Sequence, residues 1–460
     1  MRNNFKYLVF FFLFNIVSFF NVKAIEQFTF DVTEIEILNN GNQINGYKDG
    51  IVTTADGNKI IANSFFYNKL TNILEAVGDV EFIDEIENIV ITTNKAIYLK
   101  NKEKIFTEGN SKAIGQNNII TGSDFEYDKK NNIIKAVGDV EFIDEIENIV
   151  ITTNKAIYLK NKEKIFTEGN SKAIGQNNII TGSDFEYDKK NNIIKAKKNV
   201  KILDNEKNTT LNSDEITYLR NEERVFTTGK TTALIENKYN FVSENVSYLR
   251  NELILSSKKK STVTDKNNIY QLDNFNYLIE EKLLKGKNVK ILSKIDKTKV
   301  DKYFFSEGFF DLENESFISK TTNIKVHKDI FENNENDPRI YGSSSKGDGK
   351  KTIIYNGIFT SCKFNDDCPP WSIKSEQIIH DKIKKDLIYK NAILKIYDVP
   401  VLYFPKFFHP DPTVKRRSGF LQPQFNNSEL LGSSIQIPYF RTLGHDMDLT
   451  FKPTLFDTRS

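Results

Sequence analysis

The stretch Ala96-Ile97-Tyr98-Leu99-Lys100-Asn101-Lys102-Glu103-Lys104-Ile105-Phe106-Thr107-Glu108-Gly109 decides the fold. Apolar Ala96 and Tyr98 stand two apart, as do apolar Ile105 and small Thr107, with a polar run from Lys100 to Lys104 between the pairs. Alternation with period two reads as a strand with one buried face, and the polar run as a tight turn. The pattern recurs. Tyr67, Tyr98, Tyr127, Tyr158, Tyr187, Tyr218, Tyr248 and Tyr277 are spaced by 31, 29, 31, 29, 31, 30 and 29 residues. Two residues before each stands Phe65, Ala96, Phe125, Ala156, Phe185, Ile216, Val246 or Phe275. Seven after comes Leu74, Ile105, Ile134, Ile165, Ile194, Val225, Leu255 or Leu284. Nine after, the residue is small; eleven after, it is Gly78, Gly109, Gly138, Gly169 or Gly229 in five of the eight units. Residues 76–136 moreover recur letter for letter as 136–196. Such an insertion is tolerable where each unit touches mainly its neighbours.

Each unit of about 30 residues is therefore two strands, and stacked units make an all-β solenoid or folded sheet. Large apolar residues beside small ones on the inner face predict a trough, against the alternative of a dry packed interior. Single tyrosines read as core-edge residues rather than catalytic groups. The acidic residues Asp79, Glu81, Asp84 and Glu85 read as a solvated face.

Working outward, residues 1–24 read as a signal peptide, with Arg2 and Lys6 before the apolar run Tyr7–Phe20 and Val22-Lys23-Ala24 as cleavage site. No later stretch has the ~20 apolar residues of a spanning helix, so any membrane insertion would take a closed β-barrel. Lys plus Arg number 64 against 62 Asp plus Glu, and this near-neutral balance gives no support for nucleic-acid binding. Four His and two Cys leave little for a metal site. No nucleophile elbow, P-loop or dinucleotide fingerprint occurs, and no cofactor is expected.

Residues 305–330 hold a ninth, degenerate unit, followed by a polar loop from Glu332 to Pro338 and Gly342 to Gly349. Cys362 and Cys368 follow; in an exported chain this pair points to a local disulfide, since a zinc site would need two more ligands and none is adjacent. His409 and Asp411, beside Pro410 and Pro412, read as a proline-stiffened turn before an acid–base or metal pair. Lys415, Arg416 and Arg417 fit either a lipid phosphate group or a charged turn at a barrel rim. Trp371, Tyr403, Phe404, Phe407 and Phe408 are either interfacial aromatics or domain packing.

This C-terminal texture resembles a known family. Cys368-Pro369-Pro370-Trp371-Ser372-Ile373, Ile388-Tyr389-Lys390-Asn391-Ala392 and Ile396-Tyr397-Asp398-Val399-Pro400-Val401-Leu402-Tyr403-Phe404-Pro405 are similar to segments of the lipopolysaccharide-assembly outer-membrane proteins (organic solvent tolerance protein, LptD). The most specific run is His409-Pro410-Asp411-Pro412-Thr413-Val414-Lys415-Arg416-Arg417-Ser418-Gly419-Phe420-Leu421. The upstream repeats resemble that family's periplasmic β-jellyroll (OstA-like).

The resemblance implies a signal peptide at 1–24, a jellyroll at 25–330, a connecting segment at 331–418 and the first strands of an outer-membrane barrel at 419–460. It implies lipopolysaccharide as cargo, a periplasmic bridge protein as donor, an outer-membrane lipoprotein plug as partner, and no enzymatic step. Phe65, Leu74, Ala96, Ile105, Phe125, Ile134, Phe185, Ile194, Ile216, Val225, Val246, Leu255, Phe275 and Leu284 would line the acyl-chain groove. The family's barrel has about 26 strands, whereas the stretch after Gly419 has room for about three. Met447, Leu449, Phe451, Pro453 and Leu455 alternate with Asp448, Thr450, Lys452 and Thr454, as a lipid-facing strand would. Two other readings are a soluble periplasmic bridge-type protein and a β-helical polysaccharide-degrading enzyme. The enzyme needs carboxylates and basic groups clustered in fixed register, which the repeat does not display.

Overall fold

The computed structural model describes residues 28–294, 300–325, 337–363, 369–410, 414, 416–428, 432–444 and 446–457. The signal-peptide reading, Cys368, Asp411, Pro412 and Lys415 lie outside the described residues. Two compact units emerge, one of 1–206 with 214–222 and one of 207–213 with 223–460.

In the first unit the expected two strands per repeat are present, all antiparallel. Ile73–Asp84 pairs with Ile89–Leu99 along its whole length. Its first half also pairs with Ser64–Asn68, and its second half with Lys59–Ala62. Each crossing of the sheet is thus either one long strand or two short ones in line. Phe82 sits opposite Ile91, and Tyr98 lies seven residues further along that strand. In a flat sheet that step is about 23 Å. The Phe82 and Tyr98 rings are 6.0 Å apart. The sheet has therefore folded over on itself into two layers joined at a crease. Phe142 repeats the contact with Tyr158 at 5.8 Å and Tyr187 at 6.5 Å.

The repeated glycines make the crease. Between Val77 and Val80 the register shifts, and Gly78 and Asp79 both take positive φ, +84° and +43°. Gly109 (+81°) and Asn110 (+52°) part the short strands Lys104–Glu108 and Ser111–Ile114. A side chain pays a steric penalty at such φ, and a Cβ on Gly78 would stand 2.4 Å from Asn63 Oδ1.

The small residues nine after each tyrosine have the same origin. Where two layers meet at a fold there is no room for large side chains, and the few polar ones must satisfy each other. Buried Ser111 Oγ lies 2.6 Å from Thr107 and 3.2 Å from Thr93, and the trio recurs as Thr153, Thr167 and Ser171.

The second unit continues the pattern through Phe275 and then changes. From Leu283–Lys294 to Val399–Pro410 the strands form a plain meander, each paired with the next. Part of the expected polar loop is a strand, Arg339–Gly347. Its serines were read as loop formers, yet Ser345 is buried and shares hydrogen bonds with Ser319 and Thr322. A core forms from Ile324, Ile340, Ile354, Phe359, Ile378 and Tyr389, with Trp371, Phe404 and Phe407 packed against it. Residues 419–457 form two three-stranded sheets. Leu449, Phe451 and Leu455 stand exposed there, but the single alternating strand expected over 447–455 is instead two short strands, Asp448–Phe451 and Thr454–Phe456, in different sheets, with Asp448 and Lys452 exposed as well.

Candidate lipid conduit and its ionic mouth

All fourteen residues expected to line the groove point into the interior, nine in the first unit and five in the second. None is more than 5% exposed, so the trough is shut rather than open. Aromatic rings from the two layers meet across it, as Phe82 does with Tyr98 and Tyr127, and in the second unit Phe241 with Phe275 and Tyr277. The inner faces are complementary enough in width to close on each other. Phe65 and Ile105 are wholly buried, and each such side chain contributes about 1.5–3 kcal/mol of burial.

Opposite the crease the two layers end in two rows of turns, which form the lips of the mouth. One lip carries a basic row that the periodicity of the tyrosines already contained. Lys69, Lys100, Lys129, Lys160, Lys189, Arg220 and Arg250 each stand two residues after a repeat tyrosine. From Lys100 to Arg220 the carboxylate partners are 44 to 73 residues away in the chain, and that of Arg250, Glu223, is 27 away, which is why sequence reading does not find them. In the first unit Lys100 and Lys129 both bond Asp56, and Lys129 Nζ lies 3.7 Å from Asp84. Lys160 Nζ reaches Glu87 at 2.6 Å, Lys189 reaches Asp144 at 3.4 Å, and Arg220 reaches Glu147 at 3.5 Å. The second unit has a pair of the same kind, Lys282 with Glu236.

Asp84 corrects the solvated-face reading: it is fully buried. Its carboxylate accepts from the Tyr127 hydroxyl at 3.3 Å and the Glu87 amide at 3.1 Å. Asp144 does the same with Tyr187 at 2.9 Å and the Ile146 amide at 3.1 Å. The repeat tyrosines thus stand at the inner edge of the mouth, the ring in the core and the hydroxyl on the seam. Burial, with the negative charge of Asp84 and Glu87 adding to it, pushes the Tyr127 hydroxyl far up and keeps it a donor. Burial raises Tyr158 to about 12 against the hydrogen bond from Asn118. Burial would raise Asp56, but hydrogen bonds from Lys100 and Lys129 outweigh it and hold the carboxyl well below the usual range. The Lys160 bond, followed by one from Asn132, lowers Glu87.

The seam is not uniform. At the turn 115–117 a cleft of about 200 Å³ opens between Lys160 and Lys189 and runs past Tyr158 to Ile89, Ile120 and Ile134. That volume is below the roughly 300–1,000 Å³ of small-ligand pockets. In the second unit a cleft of about 330 Å³ is lined by Tyr270, Phe305, Phe310 and Phe317 among others.

The remaining expected groups fall elsewhere. Arg417 forms a two-pronged pair with Asp386, and Arg416 reaches Asp448 at 2.5 Å, so both arginines are engaged by carboxylates. His409 Nε2 lies 2.8 Å from the Tyr389 hydroxyl in a packed aromatic group. Tyr403 and Phe408 are exposed. Cys362 Sγ contacts the Trp371 carbonyl at 3.7 Å; its pairing with Cys368 lies outside the described residues. Among the described residues there is no cluster of metal-ligating side chains, and no helix long and apolar enough to cross a membrane.

The geometry defines a class: a folded antiparallel β-jellyroll with an apolar interior and a charged mouth. No family model matches the chain. Over about a quarter of its length it is similar to lipopolysaccharide-assembly proteins named LptD. It is 37% identical over 114 residues to that of Sodalis glossinidius, 35% over 114 to that of Yersinia enterocolitica and 34% over 128 to that of Shewanella oneidensis. The matched stretches cover 25–26% of this chain, and the chain spans about 14–16% of the length of these relatives. Among solved structures, LptH of Pseudomonas aeruginosa, titled a periplasmic component of the lipopolysaccharide transport device, aligns at 16% identity. That alignment covers 24% of this chain and 82% of that one, with a TM-score of 0.22.

Proposed function

We propose that the chain is a component of lipopolysaccharide transport and assembly at the outer membrane. Its jellyroll takes acyl chains between the two layers and hands them toward a barrel whose strands begin near Gly419. The work is binding, not bond-making. Tails buried at about 25 cal/mol per Å² supply affinity while the sugar stays in water. The observation that carries this reading is the interior itself. Every repeat delivers two inward apolar positions, so a hydrocarbon chain meets an apolar wall throughout as it moves along a unit. Because the wall is closed at rest, loading requires the lips to part. Weak, half-exposed ion pairs at the mouth suit that, since each contributes little and breaks one at a time. The donor would be a periplasmic bridge protein and the plug an outer-membrane lipoprotein. The chain would sit in the outer membrane with its jellyroll in the periplasm. Lys415, Arg416 and Arg417 would be a rim turn. The exposed apolar residues of 447–456 favour this over a freely soluble bridge-type protein.

Photo-crosslinking tests it. A photoreactive residue at Phe125 or Ile216 should form lipopolysaccharide adducts in cells, and one at exposed Lys135 should not. Adducts from Lys135 alone would defeat the conduit.

A further inference from the structure

The two letter-for-letter copies place Lys100 and Lys129 in the same sequence setting as Lys160 and Lys189, yet the opposite lip differs. The turn facing the first pair holds Asp56, which bonds both lysines. Sixty residues on, the corresponding residue is Gln116, in a turn of Gly115-Gln116-Asn117 that has no carboxylate. Lys160 and Lys189 therefore reach away from each other, one to Glu87 and the other to Asp144 and the Asn117 carbonyl. The cleft opens between them, with one carboxylate, Glu163, also in its lining, and its floor is the apolar interior.

Resting on the conduit reading above, we propose that the turn 115–117 marks a port for a phosphate-bearing amphiphile. Lys160 and Lys189 take the phosphate, and the alkyl chain passes Tyr158 to Ile120 and Ile134. Two ammonium groups flanking one opening match a phosphate, which accepts several charge-assisted hydrogen bonds. The exchange takes from buried Asp144 its cation and leaves it its neutral donors. When Lys189 turns to the phosphate, Asp144 keeps the Tyr187 hydroxyl and the Ile146 amide. When Lys160 leaves Glu87, that carboxylate is left on a half-exposed rim. At the first copy both lysines converge on one carboxylate, Asp56, whereas at the second they part, so the port belongs to the second copy.

The test uses the full chain with benzoylphenylalanine at Ile120, or at Ile60, its counterpart sixty residues earlier. The probe is a clickable phosphatidic acid in mixed micelles, compared with the diacylglycerol of the same tails. Phosphatidic acid should label Ile120 about ten-fold more than Ile60, and K160Q/K189Q should remove that excess while K100Q/K129Q keeps it. Q116D should abolish labelling at Ile120, and D56Q should raise it at Ile60. Equal labelling at the two positions, or indifference to K160Q/K189Q, overturns the port. Diacylglycerol labelling Ile120 as well as phosphatidic acid does overturns the port and leaves the conduit standing. No labelling by either probe, or by lipopolysaccharide, at any interior position removes both. Inorganic phosphate competing as well, mole for mole, as unlabelled phosphatidic acid would make this a plain anion site and overturn the port.

Discussion

Residues 76–136 and 136–196 are the same sequence twice, and the structure gives them the same interior and different mouths. Phe82 and Phe142 pack alike, and Asp84 and Asp144 each hold a tyrosine and a lysine. What separates the copies lies outside them, in whether the facing turn contributes Asp56 or Gln116. Core packing in such an array is local to a repeat, whereas the electrostatics of the mouth is decided by a neighbour two repeats back. Identical sequence therefore fixes stability more tightly than it fixes access.

The largest effect tests that equality. Phe82→Ala and Phe142→Ala should each cost about 3–5 kcal/mol in denaturant unfolding, and they should agree within about 1 kcal/mol. A larger gap would mean that the copies are not equivalent inside. Next come the buried carboxylates. Asp84→Ala and Asp144→Ala each remove the carboxylate that a buried tyrosine hydroxyl and a lysine share, at about 1–3 kcal/mol by the same measurement. The first should be the milder, because Lys129 still has Asp56. Crease glycines follow: Gly78→Ala and Gly138→Ala should cost about 1–2 kcal/mol, since both hold positive φ and a new Cβ would meet Asn63 or Ser123 within 2.4 Å.

The smallest effect is that of acid. The folded Asp56 and Glu87 carboxyls are depressed, so their contribution is complete above their ordinary values of 3.8 and 4.5 and is lost as the pH falls through the lower folded ones. Thermal midpoints should be flat from pH 7 to pH 5 on account of these groups and decline below about pH 4.5, with Asp56→Asn removing part of the decline, a few tenths of a kcal/mol after solvent screening. A mouth contribution that grew on acidification would contradict the assignment.

Much of this fold was legible in the chain. Period-two alternation gave the strands, and the polar runs such as Asp128–Asn132 gave the turns. Gly78 and Gly109 were visible as a spacing but not as a crease, because a fold-over is a relation between two halves of one strand. The trough expected from mixed large and small residues is closed because the small ones gather at the crease, a sorting that face-on alternation does not reveal. Asp84 looked like its exposed neighbour Glu85, since nothing local announces a tyrosine 43 residues ahead. The serines around Ser345 looked like a loop because composition does not distinguish hydroxyls that meet water from hydroxyls that meet each other.

Four sheet crossings separate a lip turn from its counterpart in the next copy, so one inserted block adds about four strand spacings, roughly 19 Å. An addition of sixty restores the alternation of acidic and neutral turns; an addition of thirty would invert it for everything downstream. The length of the stacked sheet within this unit would then be adjustable only in whole steps, and related sequences should differ by multiples of sixty residues, a pair of repeats at a time.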